Sequence, residues 1–206
     1  MRERRNLAQR AVAAKPPLGA RLEAGPEMGY GQTATMRPSQ SRHPGSPLSS
    51  SVWKPSVTVA AVIDRDGRFL LVEEETSDGV RLNQPAGHLD PNETIVAGCA
   101  REALEETAHP FTPEHLLGVY MSRYVSQRTG EDVTYVRFAF TGRLGDRIAG
   151  RELDTGILRT LWLTPDEIRA RAVEHRSGLV QRCVDDYLAG RRYPLDLIFT
   201  HSTAVR

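Results

Sequence analysis

Two cysteines, two tryptophans and a formal charge of +1 are all that 206 residues provide of those quantities. Each scarcity excludes something. Cys99 and Cys183 have no metal-ligand spacing and cannot staple a small scaffold. They are read as structural thiols in a reducing, cytoplasmic compartment. A balanced charge makes no case for nucleic acid or membrane as partner. No apolar run approaches the roughly 18 residues of a spanning helix. Lysine is nearly absent against abundant arginine, which is read as codon bias rather than function. A chain of this length predicts one domain with an appendage, and a monomer.

The appendage is residues 1–52. It carries eight basic side chains and three acids, net +5, so the remainder is net −4. Serine, proline, glycine and alanine dominate it, and no apolar periodicity survives. The composition predicts disorder. A transit peptide is disfavoured by its acids, and a nucleic-acid arm by thin charge without aromatics. A start assigned too early, with Met28 or Met36 as the true one, is the preferred reading.

From Trp53 onward the pattern is that of a folded domain, expected over 53–197 with a loose tail at 198–206. Val57–Ile63 and Phe69–Glu74 are β-rich runs, and Asp64-Arg65-Asp66-Gly67 between them predicts a hairpin turn. Arg81–Pro85 predicts a short strand. Leu116–Val125 and Thr134–Leu144 alternate as strands about a polar loop at Thr129–Asp132, and Ile157–Leu163 is another. Thr164 caps a short helix begun by Pro165-Asp166-Glu167. Ser177–Leu188 predicts a longer helix with Leu179, Val180, Cys183, Val184 and Tyr187 on one face and Gly190 beyond its end. The order implies an α/β fold, a mixed sheet with helices on both faces.

The informative stretch is Gly87–Ala108. Gly87 to Asn92 is turn chemistry, and a helix follows, with Asn92 as N-cap and Glu93 at its positive end. Val96, Cys99, Ala100, Ala103 and Leu104 share its buried arc. Glu102, Glu105 and Glu106 share the opposite arc. As helix surface they are badly placed: like charges at i,i+4 cost roughly 0.2–0.5 kcal/mol per pair, and the last turn prefers cations. A bound cation removes both objections. An all-carboxylate set suits Mg²⁺ or Mn²⁺ bridging to substrate phosphates.

Gly87, Glu93, Arg101, Glu102, Ala103, Glu105 and Glu106 stand at the spacing Gly-x5-Glu-x7-Arg-Glu-apolar-x-Glu-Glu, and in this the chain resembles the Nudix hydrolase family. Ala108 and His109 depart from the glycine and aliphatic residue that end the motif. Trp53–Val59, Asn83–Leu89 and Arg192–Leu195 are similar to a bacterial phosphatase branch of the same family. The resemblance implies an α/β/α sandwich containing a loop-helix-loop. It also implies a Mg²⁺-dependent phosphohydrolase acting on nucleoside tri- and diphosphates and thiamine-type pyrophosphates.

By that resemblance, Glu102, Glu105 and Glu106 hold one or more metal ions, with an added carbonyl from Ala86. Gly87 lets the loop come close. Arg101 orients the carboxylates through Glu93. The general base is Glu102 or Glu106. Asn83 and Gln84 are the candidates for contacting a pyrimidine, with satisfied strand ends as the competing reading. Asp154 and Glu152 precede a strand where relatives place another acid, with loop solvation as the competing reading. Tyr120, Tyr124 and Tyr135 are read as strand aromatics, and His88 as structural. Two alternatives stay open: a diphosphatase of nucleoside-diphosphate-linked compounds such as ADP-ribose, and a Nudix-fold module that binds nucleotides without cleaving them. The intact set of acids favours an enzyme.

Overall fold

The structure, a computed structural model, describes residues 52–126 and 130–205. The expectations for residues 1–51, for Thr129 in the polar loop and for Arg206 lie outside the described residues.

In chain order the elements are β1 (Ser56–Ala61), β2 (Asp64–Arg65), β3 (Arg68–Thr76), β4 (Gly79–Asn83), β5 (Ala86–His88), α1 (Ile95–Thr107), β6 (Phe111–Val125), β7 (Asp132–Leu144), β8 (Ile157–Leu163), α2 (Pro165–Ala170) and α3 (Leu179–Leu188). Two sheets form. The first runs β5-β1-β7-β6 and is mixed, because β1 and β7 are parallel while the other pairs are antiparallel. In the second, β3 pairs antiparallel with β2, β4 and β8. The expected mixed sheet is therefore the first of two.

The β1 run explains the layering. Val59 to Ile63 are all buried, and successive strand side chains point to opposite faces. Val59, Ala61 and Ile63 pack in a cluster with Cys99 and Ala103 of α1. Ala60 and Val62 pack with Val180, Cys183 and Val184 of α3 and with Ile168 of α2. One strand buried on both faces thus makes an α/β/α sandwich.

The hairpin expected between Val57–Ile63 and Phe69–Glu74 shrinks to its tip. Asp64 and Arg65 pair across the turn with Phe69 and Arg68, and the Leu70 N–H donates to Ile63 O at 3.0 Å. Asp66 and Gly67 both take positive φ there (53° and 76°), as a tight two-residue turn requires. The rest of the first run pairs with β5 and β7, and the chain passes from one sheet into the other near Val62.

The N-cap of α1 is Thr94, not Asn92: Thr94 Oγ1 accepts from the Ala97 N–H at 3.0 Å. Asn92 is left-handed (φ 70°) and forms a bridge with Val205, a conformation asparagine tolerates better than most residues. That bridge ties down the segment expected to be a loose tail. Glu93 stays outside the helix. The buried arc of α1 also differs. Glu102 and Glu106 are buried while Val96, Ala100 and Leu104 are only partly so, because the acidic face is turned toward β5 rather than water. Thr164 caps α2 through a capping box with Glu167, as the sequence predicts. Gly190, beyond the end of α3, has φ 76°.

Ala108 takes the left-handed cap (φ 59°), and its N–H donates to Leu104 O at 3.0 Å. The motif's path is kept without its glycine. Left-handed alanine costs roughly 1 kcal/mol, but this methyl is fully buried, and a buried methyl contributes about 0.8 kcal/mol. The two nearly cancel. Ala108→Gly is expected to shift the thermal midpoint by less than about 2 °C, and a rise of several degrees would show that strain dominates.

Candidate active site

β5 lies at the edge of the first sheet. The Ala61 N–H donates to Pro85 O and the Leu89 N–H to Val57 O, so Pro85, Gly87 and Leu89 face β1. In an antiparallel ladder the intervening residues then turn their backbone groups away. Those groups meet α1. The Ala86 N–H donates to Glu106 Oε2 at 2.8 Å, and the His88 carbonyl accepts from Arg101 Nη2 at 3.0 Å. The Ala86 contribution seen here is its N–H, where a carbonyl was expected. That carbonyl also turns outward by the same alternation.

Gly87 sits between these two residues. A Cβ on Gly87 would lie 2.3–2.4 Å from the Glu102 carboxylate, so the missing side chain is the space the carboxylate fills. Gly98 is similarly crowded, by Glu93 and Leu89.

Arg101 organises the acids. Its Nε and Nη2 donate to the two Glu93 oxygens at 3.0 and 2.7 Å. Nη1 donates to Glu102 Oε1 at 2.8 Å and to Glu105 Oε2 at 3.0 Å. Such charge-assisted bonds, partly shielded from water, outweigh exposed pairs. They hold Glu93 below the usual carboxylate range and raise Arg101. Glu93 also accepts from the Asp90 N–H, which makes it a loop clamp rather than a dipole partner. Arg101 does not hold Glu106. Burial pushes Glu106 up to about 8, against the Ala86 hydrogen bond, with Glu102, Glu74 and Asp154 adding repulsion. Burial raises Glu102 as well, against Arg101.

Among the described residues, no three His, Cys, Asp or Glu side chains are gathered tightly enough to hold a metal as they stand. Arg101 is the reason, since two of the three acids point to it. The residues nonetheless fit a hard divalent cation. Buried Glu106 has no ion-pair partner among the described residues, all donors are oxygen, and the space left by Gly87 seats the Glu102 carboxylate where a side chain would displace it. Asp154 joins the same end of α1, its N–H donating to Glu105 O at 2.9 Å.

Beside the acids opens a cleft of about 460 Å³. Its floor is a row across the first sheet: His88 of β5 pairs with Thr58 of β1, and Thr58 pairs with Arg137 of β7. Tyr135 and Tyr124 line it, and the rings of His88 and Tyr135 are 6.0 Å apart. Glu74, Asn83 and Arg176 form the facing wall. Of the two residues expected to touch a pyrimidine, only Asn83 reaches this wall. Gln84 is 1% exposed, and its Nε2 donates to the Val180 carbonyl at 2.9 Å, tying the end of β4 to α3. Tyr120 also turns away, its hydroxyl donating to Asp186. Arg137, Thr58 and Glu74 were not picked out from the sequence. The available signal was an arginine at an inward position of the alternating 134–144 run.

A family model for the NUDIX domain matches residues 52–183. Phosphatase NudJ of Escherichia coli strain K12 is 36% identical over 147 residues, 71% of this chain and 92% of that protein. A solved NUDIX hydrolase from Nitrosomonas europaea is 50% identical, with TM-score 0.66, covering 72% of this chain and 98% of that one. The MutT protein of Methanosarcina mazei Go1, at 22% identity, 69% and 100% coverage and TM-score 0.55, shares the fold. A glycine cradle under Glu102, an arginine clamping the acids of α1 and this extent of match lead to one assignment: the chain belongs to the Nudix hydrolase family.

Proposed function

We propose that this Nudix hydrolase cleaves phosphoanhydride bonds of nucleoside tri- and diphosphates and thiamine-type pyrophosphates, and that it requires Mg²⁺, with Mn²⁺ able to substitute. The observation that carries the reading is the set of three α1 carboxylates, two of them buried, with Glu106 accepting from the Ala86 N–H and Glu102 seated against Gly87, two β5 residues that also line the cleft. Similarity to Phosphatase NudJ supports release of phosphate, and the substrate range follows the resemblance to that phosphatase branch.

Glu102, Glu105 and Glu106 would hold the metal, which when bound neutralises phosphoryl oxygens and makes water a better nucleophile. The chain's own residues do the rest. Arg101, anchored on Glu93 and the His88 carbonyl, fixes the direction of Glu102 and Glu105. Gly87 sets how far Glu102 can advance. The proton of the attacking water goes to a buried carboxylate, Glu102 or Glu106. The cleft wall of Asn83, Tyr124 and Tyr135 positions the remainder of the substrate. We place the catalytic domain at residues 53–197. Among the described residues no helix is long and apolar enough to cross a membrane.

A phosphate-release screen tests this reading. Nucleoside tri- and diphosphates, thiamine pyrophosphate and ADP-ribose are each offered with Mg²⁺ and with EDTA. Release is expected with Mg²⁺ from the first three, and abolished by EDTA. A chain beginning at Val52 is expected to give the same pattern. Full turnover in thoroughly chelated enzyme overturns the metal assignment. Cleavage of ADP-ribose alone overturns the substrate range.

A further inference from the structure

Arg137 stands in mid-strand on β7, between Thr58 of β1 and Tyr120 of β6, and is only 7% exposed. A buried guanidinium needs acceptors at about 2.9 Å. The acceptors described for it are distant: Asn83 Oδ1 at 3.4 Å from both Nη1 and Nη2, and Gln84 Oε1 at 3.5 Å. Among the described residues no carboxylate comes within ion-pair distance of it. Its neighbour in the row, Thr58, is also 7% exposed, and its Oγ1 has no hydrogen-bond partner among the described residues. Both residues line the cleft. Two adjacent buried polar groups on one floor thus lack good partners, an arrangement that costs stability unless a ligand completes it.

The facing wall narrows the chemistry. Glu74 lines the same cleft, held by the Asn83 Nδ2 donor at 3.2 Å and with Arg176 Nε 4.0 Å away. A phosphate or carboxylate seated on Arg137 would meet the Glu74 charge. A neutral group with acceptors beside a donor satisfies both sides. Cytosine has that edge: its carbonyl and ring nitrogen can accept from the guanidinium, and its exocyclic amine can donate to Glu74. Uracil places a carbonyl where the amine would be, facing the carboxylate. Tyr124, Tyr135 and His88 offer ring surfaces for a flat group.

We propose that Arg137 and Glu74, with Thr58, read the amine-bearing edge of a cytosine-type pyrimidine, and so select the organic part of the substrate. The inference rests on the phosphohydrolase reading above. Its test is kcat/KM for CTP against UTP, and CDP against UDP. The parent is expected to favour the cytidine compound by about tenfold or more, because a site built to bond one edge rejects the analogue that leaves its groups unpaired. Glu74→Gln and Arg137→Lys are each expected to bring that ratio toward one, mainly through KM. Should either variant fold poorly, the parent's ratio and the ability of CMP, but not UMP, to compete decide the matter without it. Equal use of CTP and UTP by an active parent overturns the inference and leaves the phosphohydrolase reading standing. No turnover of any phosphoanhydride overturns that reading, and with it the inference. A cytidine preference unchanged in both variants overturns the assignment to these residues.

Discussion

Glu106→Gln is expected to lower turnover at least about a hundredfold, since losing a carboxylate at the point where transition-state charge develops commonly costs 10²–10³. It is not expected to harm the fold. Glutamine keeps the volume, and its carbonyl oxygen can still accept from the Ala86 N–H. It also removes a charge that burial disfavours and that faces Glu102, Glu74 and Asp154. In EDTA the variant should melt at or above the parent temperature, and Mg²⁺ should raise its melting point less than the parent's. Catalysis and stability therefore move in opposite directions, which an ordinary structural glutamate would not show. Normal turnover with a normal Mg²⁺ response would place the metal elsewhere.

Gly87→Ala should have an effect of similar size by a different route. Gly87 lies in an extended strand, so glycine is needed for space rather than for its backbone freedom. The added Cβ would sit 2.3–2.4 Å from the Glu102 carboxylate, and one of the two must move. β5 is held to β1 in register, with Val59 opposite Gly87, so the Glu102 side chain is the part that gives. Displacing a positioned group by about 1 Å commonly costs about 10² in rate. Overpacking here should also cost about 1–3 kcal/mol of stability. A double-mutant cycle separates the two effects. In a Glu102→Gln background, Gly87→Ala should cost little further turnover, because its damage acts through Glu102. Full additivity of the two losses would show that Gly87 serves something else.

The parts of this site that were legible in the sequence share one property: they lie on a single element. Glu102, Glu105 and Glu106 are within one turn of one helix, and Arg101 is beside them, so spacing alone brings them together. The strand positions were equally readable from alternation, but the pairing was not. Nothing local says that Val57 will pair with Val136 rather than turn back on Phe69. The cleft floor depends on that pairing, and so Thr58 and Arg137 passed unnoticed. Asn83 and Gln84 show the limit most simply. β4 ends at Asn83, both side-chain oxygens approach Arg137 (3.4 and 3.5 Å), and what withdraws Gln84 from the cleft is its bond to the Val180 carbonyl of α3, which nothing local announces. The helix start was missed for a local reason: Asn92 and Thr94 are both good caps, and Asn92 was the better of the two at adopting a left-handed turn.

The clamp formed by Arg101 has a consequence for the life of the molecule before it meets any substrate. Many small metalloproteins are unfolded until their ion arrives, because their ligands repel one another or have nothing else to bind. Here the guanidinium already satisfies Glu93, Glu102 and Glu105. On the proposed Mg²⁺ requirement, loss of the ion would therefore leave a folded, inactive chain rather than a denatured one. Under that proposal catalytic output would follow the free magnesium level, while the amount of folded protein would not.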